Sequence, residues 1–243
     1  MNNHDPLKNI RVVLARPSHP GNIGAAARAL KTMGLSALHL VEPREFPHPE
    51  AEARASGAGD VLRDARIHPN LSAALQNCVL AVATSSRHRE LRHETVDVRT
   101  ATHELLAHAA NHPVAVVFGN ETTGLTSEEA GLCQLWVQIP ANPHYPSLNL
   151  AAAIQIFAYE LRCASLSSTE SRAVPEFEPA SFEQIEQLYR HFEKTMIDSG
   201  FLDPAQPKRL LARLRRLLAR ARLETEEVNI LRGFLNAIDK MRR

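Results

Sequence analysis

The chain has 243 residues, enough for one large domain or for a medium domain with a small appendage. Its 44% apolar and 23% charged residues are those of an ordinary globular protein, and a net charge of +1 selects no class of partner. Cys78, Cys133 and Cys163 stand far apart without a CxxC pair, which excludes a disulfide framework and a thiolate zinc site and reads as buried, reduced thiols. The opening MNNHDPLKNIRVVLARP lacks the apolar run of a signal peptide, and no segment approaches the ~20 apolar residues of a membrane span, so a cytoplasmic protein is expected.

From residue 10 to about 164 short apolar runs alternate with helical stretches. The runs are Ile10–Ala15, Ala37–Val41, Val79–Ala83, Val114–Phe118 and Leu135–Ile139. The helices between them are Ile23–Met33, Leu71–Gln76, Ala101–Ala110 and Leu150–Leu161. Strands that alternate with helices and are apolar throughout predict a parallel sheet covered on both faces. Residues 165–180, SLSSTESRAVPEFEPA, lose all periodicity and read as a linker.

The tail, 181–243, reads as three amphipathic helices. Ser181 and Gln184 form a capping-box start, and Phe182, Ile185, Tyr189, Phe192 and Met196 make one stripe. Ser199-Gly200 closes this helix. The second helix carries Leu210, Leu211, Leu214, Leu217 and Leu218, and the third Val228, Leu231, Leu235 and Ile238. Between Ala205 and Arg222 stand Lys208, Arg209, Arg213, Arg215, Arg216, Arg220 and Arg222 with no acid, leaving a net −6 for the rest of the chain. Such a face is either solvated or presented to an anion. A membrane surface fits, and nucleic acid fits better, because a guanidinium grips phosphate in a bidentate fork.

Three stretches carry chemistry. In HPGNIGAAARALKTMGL, Gly21 and Gly24 allow a tight turn and close backbone approach, and Arg28 follows one helical turn later. The spacing is not GxGxxG, so a dinucleotide turn is poorly matched. Arg28 is either a plain surface residue or one that emerges from a closely packed helix, as the small neighbours Ala25, Ala26, Ala27 and Ala29 suggest. In VAVVFGNETTGLT a buried strand runs into Gly119-Asn120-Glu121. Leu125-Thr126 stand where a P-loop needs lysine and serine, which argues against a nucleoside triphosphate. Glu121 is either an exposed turn acid or a site residue at a strand's carboxyl end.

In IPANPHYPSLNLAAA, Pro140, Pro143 and Pro146 forbid regular structure, and Ser147 and Asn149 stand where side-chain oxygens cap a helix. This loop suits a neutral or cationic small molecule read by backbone contacts. SSRHRELRH offers two histidines without carboxylate or thiol partners, no metal site is read, and GxSxG is absent.

In this order the motifs resemble the SPOUT superfamily of S-adenosylmethionine-dependent RNA methyltransferases, in its 2′-O-ribose branch. The matching residues are Asn22, Gly24 and Arg28, then Gly119, Glu121, Gly124 and Leu125, then Ile139-Pro140 and Ser147-Leu148-Asn149-Leu150-Ala151. HPGNIGAAARALKTMGL, ANPHYPSLNLA and ETEEVNILRG, with the helical tail, are similar to the tRNA enzymes of that branch that modify cytidine or uridine at position 32 of the anticodon loop. The resemblance implies a parallel-sheet α/β domain with a deep C-terminal trefoil knot over residues 1–164, a helical tRNA-binding module over 181–243, and a homodimer.

It further implies S-adenosylmethionine as methyl donor, held by Thr84, Ser85, Ser86, Gly119, Ile139, Pro146, Ser147 and Leu148. The catalytic set it implies is Arg28, Glu121, Ser147 and Asn149, with no metal. RNA would meet Arg28 and, on the tail, Lys208, Arg209, Arg213, Arg216 and Arg220. Relatives often have arginine where this chain has Asn120. Two other readings keep the fold: a ribosomal RNA substrate, or an RNA-binding protein without catalysis.

Overall fold

The computed structural model describes residues 5–85, 94–167 and 177–241. The chain divides into two compact units, residues 1–174 and 175–243.

Among the described residues the first unit holds seven strands: β1 (Ile10–Ala15), β2 (Leu38–Val41), β3 (Arg66–His68), β4 (Leu80–Thr84), β5 (Thr95–Asp97), β6 (Val114–Phe118) and β7 (Leu135–Gln138). Their order is β3-β2-β1-β6-β4-β7-β5, and every pairing is parallel. The five expected strands are present, and β1 and β6 keep the expected limits. β3 and β5 are additional. Each is a three-residue edge strand that is largely exposed, so neither carries the apolar run that marks a central strand.

Among the described residues this unit has a 3-10 turn at Pro6–Asn9 and seven α-helices: α1 (Pro20–Met33), α2 (Pro49–Ala55), α3 (Gly59–Arg63), α4 (Leu71–Ala74), α5 (Val98–Ala109), α6 (Ser127–Gly131) and α7 (Leu150–Ser167). α7 runs to Ser167, into the stretch read as a linker. β1, β4, β6 and the inner faces of α1, α5 and α7 form one apolar core around Ile23, Leu105, Val116 and Phe157. The three cysteines form no disulfide. Cys78 and Cys133 are buried, and Cys163 is half-buried rather than buried as expected.

Gly24 shows why α1 begins as it does. A Cβ there would lie 2.1 Å from the carbonyl oxygen of Ala51, so glycine is required by the approach of α2. The close approach read from the sequence is therefore made to a neighbouring helix. Ala26, Ala27 and Ala29 are buried in the same packing, and Arg28 points to solvent.

At the β2–β3 edge, His39 Nδ1 lies 2.9 Å from His68 Nε2, with the rings stacked 4.9 Å apart. Burial, then the charges of Arg11, His68 and Arg66, push the His39 pKa from 6.5 down to about 3. The unfolded chain thus takes a proton here near pH 6.5, and the folded chain takes it only near pH 3. The neutral pair's stabilisation is complete above pH 6.5 and is lost as pH falls from there toward 3, at up to ~1.4 kcal/mol per pH unit. Urea midpoints measured between about pH 7 and pH 5 should drop less in His39→Gln than in the wild type. Equal slopes would remove His39 as the cause.

The second unit holds α8 (Phe182–Asp198), α9 (Leu210–Ala221) and α10 (Thr225–Met241). Both halves of the expected Ser181–Gln184 capping box are formed. The core is small: Ala180, Leu188, Val228 and Leu235, with Ile185, Phe192, Leu218, Leu223 and Leu231 packed against it. α9 differs from expectation, since none of its residues is buried and Leu217 is 54% exposed. No helix among the described residues is long and apolar enough to cross a membrane.

Candidate active site

β6 lies between β1 and β4, and β7 lies between β4 and β5. The carboxyl ends of β1, β6, β4 and β7 therefore stand side by side, and open α/β sheets bind ligands at that end. The strand ends and their loops enclose a cleft lined by Thr84 and Ser85 of β4 and its loop, by Phe118 to Thr122, Gly124 and Leu125 of β6 and its loop, and by Val137, Ile139, Pro146, Ser147, Leu148 and Leu150 of β7, its loop and the start of α7. The second and third motifs, distant in sequence, line it together, and the first is tied to them by hydrogen bonds.

Glu121 joins them. Its Oε2 accepts from the Ser18 N–H at 2.9 Å and the Ser18 hydroxyl at 2.7 Å. Its Oε1 accepts from the His19 N–H at 3.2 Å and Asn22 Nδ2 at 3.0 Å. Burial opposes ionisation, and the donors of Ser18 and Asn22 outweigh it, holding the carboxyl below its ordinary range. Asn22 Oδ1 then accepts from Asn149 Nδ2 at 3.2 Å. Asn149 Oδ1 caps α7 by accepting from the N–H groups of Ala151 and Ala152. One hydrogen-bonded chain thus runs from the β6 loop through the start of α1 to the start of α7.

The β1–α1 loop is fastened at two more points. Asn120 Nδ2 donates to the Arg16 carbonyl at 2.8 Å, and its Oδ1 accepts from the N–H groups of Thr122 and Thr123. An arginine at 120 could not accept those two. Arg16 grips Glu129 with Nε at 3.0 Å and an Nη at 2.7 Å. The Gly119 turn tolerates no side chain, since a Cβ would lie 2.2 Å from the Leu125 nitrogen.

Seven of the eight residues expected to hold the donor line this cleft: Thr84, Ser85, Gly119, Ile139, Pro146, Ser147 and Leu148. Ser86 lies outside the described residues. The Thr84 hydroxyl is already committed to the Val117 carbonyl at 3.0 Å. Among the expected catalytic residues, Glu121 and Ser147 line the cleft, and Asn149 joins it through Asn22. Arg28 is exposed on α1, outside the cleft lining. Capping was expected of both Ser147 and Asn149; the hydrogen bonds into α7 come from Asn149, and Ser147 faces the cleft.

Sequence reasoning passed over Ser18 and the Arg16–Glu129 pair. The signal for Glu129 was available: Thr126-Ser-Glu-Glu129 is a capping-box pattern, and both of its bonds are formed. On the tail, Lys208, Arg209, Arg213 and Arg220 are exposed and Arg216 is half-buried. Arg215 corrects the reading of an uncompensated helix, because it pairs with Glu186 of α8. No group of three metal-ligating side chains occurs among the described residues.

An all-parallel sheet with its loops gathered into one cleft, and a separate helical unit, each have a counterpart among known methylases. Residues 9–159 match the SpoU rRNA Methylase family, and residues 183–243 match the C-terminal domain of the tRNA methyltransferase TrmJ. The tRNA (cytidine/uridine/adenosine-2′-O-)-methyltransferase TrmJ of Pseudomonas aeruginosa (strain UCBPP-PA14) is 47% identical over 247 residues, covering 98% of this chain and 96% of its own. The crystal structure of TrmJ from Z. mobilis ZM4 superposes with a TM-score of 0.83 at 32% identity, covering 94% of this chain and 98% of that one. An AdoMet-bound rRNA methyltransferase from Sinorhizobium meliloti reaches a TM-score of 0.50 at 29% identity, over 64% of this chain and 56% of its own. The chain belongs to the SpoU methylase family, among its TrmJ members, and is a methyltransferase.

Proposed function

We propose that the chain transfers a methyl group from S-adenosylmethionine to the ribose 2′-hydroxyl of cytidine or uridine at position 32 of the tRNA anticodon loop. The observation that carries this reading is the cleft lined by the second and third motifs, joined through Glu121 and Asn149 to Asn22 on the helix that bears Arg28. The full-length likeness to TrmJ supports tRNA over ribosomal RNA.

The lining suits the donor. Phe118, Leu125, Val137, Ile139 and Leu148 offer apolar walls for a purine, while Ser85 and Ser147 offer hydroxyls and Glu121 a negative charge for a cationic group. When bound, S-adenosylmethionine supplies a methyl group already activated on a sulfonium, so the protein must mainly position the acceptor. Glu121 is an organiser: its oxygens are occupied by four donors, leaving it unsuited to take the proton from ribose. Ser147 borders the donor, and Asn149 holds the end of α7 against α1. Arg28 grips the phosphate beside the target and stabilises the developing alkoxide.

The loop from Ile139 to Asn149 forms part of a trefoil knot in this reading. A homodimer is supported by the outward side of α7, where Tyr159 is 54% and Leu166 69% exposed. In this reading the protein works in the cytoplasm, alongside its tRNA substrate.

Unmodified tRNA and ribosomal RNA transcripts, incubated with S-adenosylmethionine and digested to nucleosides, decide the matter by mass spectrometry. The expected product is 2′-O-methylcytidine or 2′-O-methyluridine from the anticodon loop. 2′-O-methyladenosine, which the name of the Pseudomonas relative includes, would widen the specificity. Product from ribosomal RNA alone would replace the substrate. Donor binding with no product would leave an RNA-binding protein.

A further inference from the structure

Arg215 sits in the middle of the arginine-rich helix and behaves unlike its neighbours. Its guanidinium meets both carboxylate oxygens of Glu186 on α8, one at 2.8 Å. It also lies 4.3 Å from the centre of the Tyr189 ring. The Tyr189 hydroxyl donates back to the Arg215 carbonyl at 3.2 Å. Burial pushes the Tyr189 pKa up to about 12, so this donor keeps its proton. Glu186 and Tyr189 stand one turn apart on α8, so side chain and backbone of one α9 residue are gripped from one place.

Helical phase makes the consequence plain. At about 100° per residue, Arg213, Arg216 and Arg220 lie between about 100° and 160° from Arg215, and the N-cap Arg209 falls in the same arc. Leu211, Leu214 and Leu218 lie on the opposite side, within about 100° of it. α9 buries no residue fully, so its apolar side alone fixes its rotation weakly.

We infer that Arg215, Glu186 and Tyr189 form a clasp that sets the rotation of α9 and turns Arg209, Arg213, Arg216 and Arg220 outward as one phosphate-binding face. Arg215 is then a positioning residue that does not itself meet RNA. The inference rests on the reading of α9 as a tRNA-binding surface. It divides cations that look equivalent in the sequence into one pin and one face.

The test is binding of an unmodified tRNA transcript by the full-length protein over a range of salt, for four variants. Tyr189→Phe keeps the ring, and Glu186→Gln keeps an acceptor, so both should fold, which circular dichroism checks. Each should weaken tRNA binding about threefold or more, with little change in the slope of log affinity against log salt. Arg213→Ala and Arg220→Ala should each lower that slope by ~0.7–0.9.

Tighter binding by Glu186→Gln would overturn the clasp, because it would mean that a released Arg215 reaches the RNA. Unchanged affinity in both clasp variants would overturn it too. If Arg213→Ala and Arg220→Ala leave affinity and slope unaltered, the reading of α9 as an RNA surface fails first and the clasp's purpose with it.

Discussion

Glu121→Gln should lower kcat/KM for methyl transfer about a hundredfold while both units stay folded. The wild-type carboxylate offers two oxygens to four donors: two from Ser18, one from His19 and one from Asn22. Glutamine puts an NH2 group at one of those oxygens, facing donors with a donor. Hydrogen bonds to a charged acceptor contribute about 1.5–3 kcal/mol each, and relaxation of the half-buried loop recovers part of the loss of two. A net loss near 2.7 kcal/mol corresponds to the factor expected. The damage should reach beyond the β1–α1 loop, because Asn22 also accepts from Asn149, which caps α7 beside Ser147. Steady-state methyl transfer and donor binding, read with a melting curve, check this. A variant within threefold of wild type would show that the carboxylate does not organise the site. Because the wild-type group is held below the ordinary carboxylate range, its contribution is present at neutral pH and is lost as pH falls through that lowered value.

The parts of this protein that the sequence reveals are those whose residues obey a local rule. β1 and β6 are central strands, buried on both faces, so each appears as an unbroken apolar run. β3 and β5 stand at the sheet edges, where Arg66, Thr95 and Asp97 face water, and three such residues carry no pattern. Gly24 was legible as a close-approach glycine, but the carbonyl it approaches belongs to Ala51, which no spacing rule connects to it. The candidate site divides the same way. Asn22, Glu121 and Asn149 could each be picked out as motif residues, yet their hydrogen bonds span 99 and 127 positions and exist only once β6 is inserted beside β1. Arg215 was illegible for a further reason. Charge counting weighs seven cations equally, and only the partner helix shows that one of them faces Glu186.

Arg28→Lys should reduce kcat about a hundredfold with less than a threefold change in donor affinity, although the charge is kept. Arg28 is exposed, and its guanidinium makes no ion pair or hydrogen bond with another of the described residues, so its donors remain available to a ligand. Its helix is held firmly: Gly24, one turn before it, packs on the Ala51 carbonyl, and Asn22 is bound at both ends of its amide. Such a mount suits a group that must hold one geometry. A planar guanidinium can present two parallel N–H donors to a phosphate and remains charged at any working pH. An ammonium presents a point charge on a flexible stem, so attraction to RNA survives and the fixed fork does not. The loss should therefore fall on kcat, since a geometry required mainly as charge develops lowers the barrier without tightening the ground state. Single-turnover methyl transfer at saturating tRNA separates the outcomes. A lysine variant as fast as wild type would end the fork argument. One that loses tRNA affinity but keeps its single-turnover rate would move Arg28 from the chemistry to docking alone.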